Sequence, residues 1–362
     1  MWPDRRILDL FDVELPILQA PMAGSSDAAI AIEVARAGGL GALACAMWST
    51  DQVRSQVNRF RQHTDRPVNV NFFTHETPAA DPEREQGWAR RLATYYRELG
   101  VAPPPAPAGA ARLPFDDAYC ELMEELRPQV VSFHFGLPAP ALLRRVKAAG
   151  AKVISSATTV AEARRLEDGG CDAVIAQGFE AGGHRGMFLG SDIASQVGTM
   201  ALLPQVVDAV SVPVIAAGGI ADARGIVAAL ALGAAAVQVG TAYLHCDEAT
   251  VSAVHRAALA TARDDQSVLT NVYTGRPARG IVNRLIREVG PMNPDAPAFP
   301  GAAPAVAPLR AEAEKRGSGD FSPLWAGQSV AMGRPMPAGE FTRALAADAV
   351  RLLARLGGTA SA

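Results

Sequence analysis

Midway along the chain, Gln177-Gly178-Phe179-Glu180-Ala181-Gly182-Gly183-His184-Arg185-Gly186 sets a histidine between a glycine and an arginine. No core packing explains an imidazole in so glycine-rich a stretch. With a reference pKa near 6.5 and an adjacent cation favouring the neutral ring, His184 suits a general base working near neutral pH. A loop-stabilising hydrogen bond is the structural alternative. His134, between Phe133 and Phe135, is either a hydrogen-bonded core imidazole or part of the same site. Gly218-Gly219 follows an apolar run and precedes a helical pattern opening at Asp222. Bare glycines there let backbone N–H groups face an anion, aided by the helix start, although a tight turn would also use them. Gln238-Val239-Gly240-Thr241 ends the next apolar run, and the loops after strands seven and eight are the usual phosphate site of a barrel. Of the other histidines, His63 and His255 read as surface residues on helical patterns, while His75 and His245 stay undecided.

These residues share one kind of position. Each ends a short run rich in Val, Ile and Ala, and eight such runs alternate with helical patterns, the signal for parallel strands buried on both faces. The runs are Leu15 to Pro21, Leu40 to Cys45, Val68 to Phe73, Val130 to Phe135, Lys152 to Ala157, Ala173 to Gly178, Val212 to Gly219 and Ala235 to Leu244. Helices are expected at 27–38, 51–62, 140–150, 159–169, 199–209 and 222–233, several opened by Asp or Thr and closed by Gly. The regular spacing favours an α/β fold of the (β/α)8 TIM barrel type over a doubly wound sheet. Residues 1–244 would form the barrel, with an insertion at about 74–115 after strand three. The run from Val101 to Gly109 holds four prolines and reads as an extended connection. Residues 245–362 would form a mainly helical appendage covering the barrel mouth.

Composition narrows the partners. The 362 residues carry 34 basic and 37 acidic side chains, a net charge of −3, without the basic stripe that nucleic acid requires. No apolar run is long enough to span a membrane, and no basic-then-apolar leader opens the chain, so a cytoplasmic protein is expected. Cys45, Cys120, Cys171 and Cys246 lie far apart with no CxxC and no histidine at ligand spacing, which favours reduced structural thiols and no metal site.

Read in order, Gln19-Ala20-Pro21-Met22, Asn69-Val70-Asn71-Phe72, Ser132 to Gly136, Gln177 to Gly186, Gly218-Gly219 and Gln238 to Thr241 resemble the nitronate monooxygenases, formerly 2-nitropropane dioxygenases, and most of all their bacterial class I. Gly275 to Gly280 and Trp325-Ala326-Gly327-Gln328 extend the resemblance over nearly the whole chain. It implies FMN held non-covalently, its phosphate on Gly218, Gly219, Gly240 and Thr241 beside Gln238 and Val239. Met22, Asn71, Gln177 and Gly182 would lie near the ring or ribityl chain. It also implies that O₂ oxidises an alkyl nitronate such as propionate 3-nitronate to a carbonyl product and nitrite, detoxifying nitro compounds without consuming a nicotinamide. By the same resemblance His184 is the base for neutral nitroalkanes, and His134 and Trp325 contact substrate in a monomer or homodimer. The alternatives are an NAD(P)H-dependent FMN reductase of quinones or enoyl thioesters, and a cofactor-free barrel that binds a sugar phosphate. The second of these leaves Asn71, Gln177 and Gln238 unexplained.

Overall fold

The computed structural model describes residues 2–104 and 113–358. The expected strands form: β1 (Ile17–Gln19), β2 (Gly41–Ala44), β3 (Val68–Phe73), β4 (Val130–His134), β5 (Lys152–Ala157), β6 (Ala173–Gln177), then a short β7 (Gly183–His184), β8 (Val214–Ala217) and β9 (Ala236–Val239). All but β7 pair in parallel in the order β1-β9-β8-β6-β5-β4-β3-β2. The result is a nearly closed (β/α)8 barrel.

The seam between β1 and β2 is closed by little. Leu18 bridges Leu40, Gln19 N donates to the Leu40 carbonyl at 2.9 Å, and Leu40 N donates to Ile17 at 3.0 Å. One rung is supplied by a side chain, where Gln19 Oε1 accepts from Ala42 N at 3.0 Å with the glutamine wholly buried.

Side chains alternate across each strand, and this period-2 rule sorts the barrel. Val68, Val70 and Phe72 of β3, Val131 and Phe133 of β4, and Val237 and Val239 of β9 join the outer core beneath the helices. Asn71, Ser132, His134, Ser156, Gln177 and Gln238 line a cavity on the inner side. The opposite end is plugged by the helix Arg6–Phe11, whose Ile7, Leu8 and Phe11 pack with Leu18, Val130, Ile154 and Ile215. That leaves only the C-terminal strand ends open to a ligand.

The expected outer helices are present, for instance at Ala28–Arg36, capped by Asp27, and at Val160–Asp168, capped by Thr159. Two segments differ from the sequence reading. Within the insertion, residues 82–99 form a pair of helices, Pro82–Arg91 and Ala93–Leu99. Their Trp88, Leu92, Tyr95 and Tyr96 pack with Leu285, Ile286, Leu309 and Phe321 from the C-terminal third. The aromatic residues at helical spacing carried that signal, and the prolines after Leu99 masked it. Residues 105–109 of the expected extended run lie outside the described residues. At the other end, the helix Ala338–Gly358 packs on Ala28–Arg36 and on Ala223–Ala231, the first and last barrel helices. It takes the eighth place in the outer ring, so residues 245–337 form an excursion between the last barrel strand and its helix.

Gln19→Leu keeps the volume but leaves the Ala42 N–H buried without an acceptor, which costs roughly 1–3 kcal/mol. Chemical denaturation should show a loss of that size, and unchanged stability would remove Gln19 from the seam.

Candidate active site

The cavity at the C-terminal strand ends encloses about 1340 Å³ of open space, solvent at its mouth included. It brings together Met22, Asn71, His134, Gln177, Gly182, His184, Gly218, Gly219, Gln238, Gly240, Thr241 and Trp325 from seven separate stretches of the chain. Val239 is the exception. Standing next to inward-facing Gln238 on β9, it points outward into the core and is 1% exposed. What it offers the inner end is its carbonyl, which accepts from Ala20 N at 2.8 Å.

His184 is placed by elements that the strand pattern alone does not predict. The excursion contributes a hairpin, β10 (Ser267–Thr270) and β11 (Ala278–Ile281), and β7 adds to it as a third antiparallel strand with His184 opposite Ala278. Two side chains from the barrel then grip the His184 carbonyl: Gln177 Nε2 donates at 3.0 Å and His134 Nε2 at 3.2 Å. Gln177 Oε1 accepts from Gly186 N at 2.7 Å, so both ends of this amide hold the loop. Its part is therefore to position His184. Arg185, wholly buried, donates to the carbonyls of Gln177 at 2.8 Å and Gly178 at 2.5 Å, and also to Gln196.

The hydrogen bonds assign the ring protons. A carbonyl can only accept, so His134 carries its proton on Nε2, and its Nδ1 takes the Ser156 hydroxyl at 3.2 Å. Burial drives His134 down to about 3, with the nearby Arg276 cation adding to the effect, and the ring stays neutral. At His184, Nε2 lies 2.9 Å from Thr274 Oγ1, whose hydroxyl also lies 3.4 Å from the Arg276 carbonyl. With the ring proton on Nε2, the basic nitrogen would be Nδ1. Trp325 stands at 5.5 Å from the His184 ring. Its carbonyl accepts from His255 Nε2 at 3.1 Å, so His255 is buried behind the site rather than on the surface. Desolvation puts that imidazole at about 4.

The glycine turn is built for close approach. Gly218 and Gly219 have φ of +113° and +72°, and a Cβ on Gly218 would lie 2.9 Å from Thr199 Oγ1. Glu180 is the sole acidic side chain lining the cavity among the described residues, and its oxygens are taken by Thr199 N and Oγ1 at the start of the helix Thr199–Val207. The expected help from the helix after Asp222 is reduced, since the Asp222 side chain accepts from Arg224 N and Gly225 N. A strap from the excursion covers the turn: Gly327 N donates to Thr241 Oγ1 at 2.8 Å and Ser329 Oγ to the Gly219 carbonyl at 2.8 Å. Gly182 has no room for a side chain, as a Cβ would lie 2.5 Å from Gly327 N. Gln238 Oε1 is buried with no hydrogen-bond partner among the described residues, an acceptor that a ligand donor would satisfy. The Asn71 amide nitrogen is committed to Ser132, which leaves its carbonyl oxygen as the other acceptor. All four cysteines are free and buried, and no group of metal ligands occurs among the described residues.

A barrel that converges two imidazoles, unspent amide oxygens and a glycine cradle on one cavity is an enzyme for a small molecule. The sequence profile of the nitronate monooxygenases matches residues 4–348, and the chain belongs to that family of oxidoreductases. It is 42% identical to the nitronate monooxygenase of Pseudomonas aeruginosa over 94% of this chain and 97% of that one. Among solved structures, a nitroalkane oxidase from Streptomyces ansochromogenes superposes with a TM-score of 0.89 at 39% identity, covering 97% of this chain and 99% of that one. FabK from Thermotoga maritima gives 0.73 at 28% identity, covering 99% and 100%. No helix among the described residues is long and apolar enough to cross a membrane.

Acid should unfold this site. In the unfolded chain both histidines regain a pKa near 6.5, whereas the folded values are about 3 for His134 and about 4 for His255. Between those values the unfolded chain binds more protons, so stability is full above pH ~6.5 and falls as pH falls toward 4. Urea midpoints measured from pH 7.5 to 4.5 should drop more steeply for the native protein than for His134→Gln. Parallel slopes would contradict the buried neutral imidazole.

Proposed function

We propose that this chain is an FMN-dependent monooxygenase that uses O₂ to oxidise alkyl nitronates to carbonyl products and nitrite, and so detoxifies nitro compounds. The observation that carries the cofactor is the cradle itself: Gly182 and Gly218 leave no room for a side chain, the Gln238 oxygen beside them is buried with no partner among the described residues, and the sole carboxylate lining the cavity among those residues is already hydrogen-bonded to a helix start. FMN would fit it through hydrogen bonds rather than countercharges. The backbone N–H groups around Gly218, Gly219, Gly240 and Thr241 would take the phosphate, Gln238 Oε1 and Asn71 Oδ1 would accept from the polyol, and Met22 and Gly182 would flank the ring. When bound, the flavin supplies the one-electron and oxygen chemistry.

The protein's own residues do the rest. An anionic nitronate needs no base, and there the rings of His134, His184 and Trp325 bound the space it occupies and keep water from its apolar side. With a neutral nitroalkane, Nδ1 of His184 takes the proton from the carbon bearing the nitro group, and Thr274 holds the opposite nitrogen so that the correct tautomer faces the substrate. Family membership and the two ordered imidazoles support this division of labour.

Purified protein should be yellow and should consume O₂ with ethyl nitronate in the absence of NADH or NADPH. His184→Asn should lower the rate with neutral nitroethane by about 10² to 10⁴-fold, the usual worth of a general base, and the rate with ethyl nitronate far less. Equal losses with both substrates would remove the base assignment. A colourless protein that FMN cannot reconstitute would remove the cofactor.

A further inference from the structure

Glu162 is 1% exposed on the helix Val160–Asp168, three residues after the Thr159 cap. In that place a glutamate ordinarily turns one oxygen back to the start of its own helix. Here Oε2 does so, accepting from Thr158 N and Thr158 Oγ1, both at 2.7 Å. Oε1 reaches across to another segment and accepts from Phe188 N at 2.6 Å and Leu189 N at 3.1 Å. Capping accounts for the first oxygen and not for the second. The second holds the far end of the loop that starts at His184, whose near end is held by Gln177. A line of side chains joins the same carboxylate to the residue after His184. Arg185 can only donate, so Gln196, which takes its Nε at 3.1 Å and its Nη2 at 2.9 Å, turns Oε1 to the guanidinium. Gln196 Nε2 then donates to Thr158 Oγ1 at 3.1 Å, and the threonine proton goes to Glu162. Each link donates to the next, and the line ends on Glu162.

We propose that Glu162 is a positioning residue for His184: one oxygen clamps the loop at Phe188 and Leu189, the other anchors Arg185 through Thr158 and Gln196, and together they hold the imidazole where it can take a proton from carbon. The inference rests on the proposed oxidation of nitroalkanes and nitronates, and on His184 as the base within it. An amide cannot take the place of the carboxylate. Three backbone N–H groups and one hydroxyl converge on its two oxygens. A glutamine would turn its NH₂ either to Phe188 N and Leu189 N or to Thr158 N, and each choice sets donor against donor. The first frees the loop at 188–189, and the second breaks the line to Arg185. Drift of a base by about 1 Å is costly for proton transfer, whereas a nitronate, which has no proton to lose, is less sensitive to it.

The test measures O₂ uptake with neutral nitroethane and with ethyl nitronate for the native flavoprotein, Glu162→Gln, His184→Asn and the double variant. Glu162→Gln should lower kcat with nitroethane by about 10- to 100-fold, the scale for a misplaced catalytic group, and kcat with ethyl nitronate far less. Because the effect passes through His184, adding Glu162→Gln to His184→Asn should cost nitroethane turnover about twofold at most. A merely structural role would lower both substrates alike, and would cost the same factor again in the His184→Asn background. Either of those results, or no loss in Glu162→Gln, overturns the proposal while leaving nitronate oxidation in place. If Glu162→Gln fails to fold, Thr158→Val decides, because it cuts the line to Arg185 and leaves Phe188 and Leu189 held. It should lower nitroethane turnover selectively and by a smaller factor, and equal effects on the two substrates overturn the proposal. A native enzyme that oxidises neither substrate removes the functional reading itself, and the positioning claim with it.

Discussion

The site depends on one backbone oxygen, the His184 carbonyl, which accepts hydrogen bonds from side chains on two different barrel strands. Buried acceptors must be satisfied, and here the donors are fixed by the strands that carry them. Because Gln177 also accepts from Gly186 N, and Arg185 binds back to the carbonyls of 177 and 178, the loop has one place to sit. The barrel therefore does more than supply a surface. It sets the position of an imidazole that belongs to another sheet, and the pairing of β7 with β11 sets its direction. Burying Arg185 pulls its pKa down to about 10, and its bonds to carbonyl oxygens keep the charged form tolerable.

The same economy governs charge. His134 is neutral because it is buried, Glu180 is satisfied by the start of a helix, and Arg276 lies behind an aromatic ring. What remains toward the cavity is a set of dipoles: amide oxygens, hydroxyls and backbone N–H groups. Oriented dipoles can hold an anionic group without fixing a countercharge beside it, and they need no reorganisation as charge moves during a reaction. A nitronate and a cofactor phosphate could then share one cavity without competing for one cation.

The barrel was legible because eight Val/Ile/Ala runs with glycine stops repeat along the sequence, and because active sites in such a fold must gather at the strand ends. Met22, Asn71, His134, Gln177, His184 and Gln238 all reach the cavity for that reason. On a strand alternate residues face opposite ways, so the Gln238 side chain reaches the cavity while that of Val239 packs outward, and a contact from Val239 to a ligand would be made by its backbone. Gln177 was placed at the cavity, but its role in holding the loop depends on bonds to residues 184 and 186 that no spacing reveals. The hairpin at 267–281, the burial of His255 and the return of the helix Ala338–Gly358 to the barrel wall are long-range pairings. Local patterns there, a short strand or one amphipathic helix, carry no record of the partner.

Under the proposed function electrons enter this site from the nitronate and not from a nicotinamide, and anaerobic rapid mixing tests this most directly. With O₂ removed, ethyl nitronate should change the absorbance of the bound flavin within the turnover time, and NADPH should leave it unaltered over the same interval. Rapid bleaching by NADPH, with no change on adding the nitronate, would contradict the account.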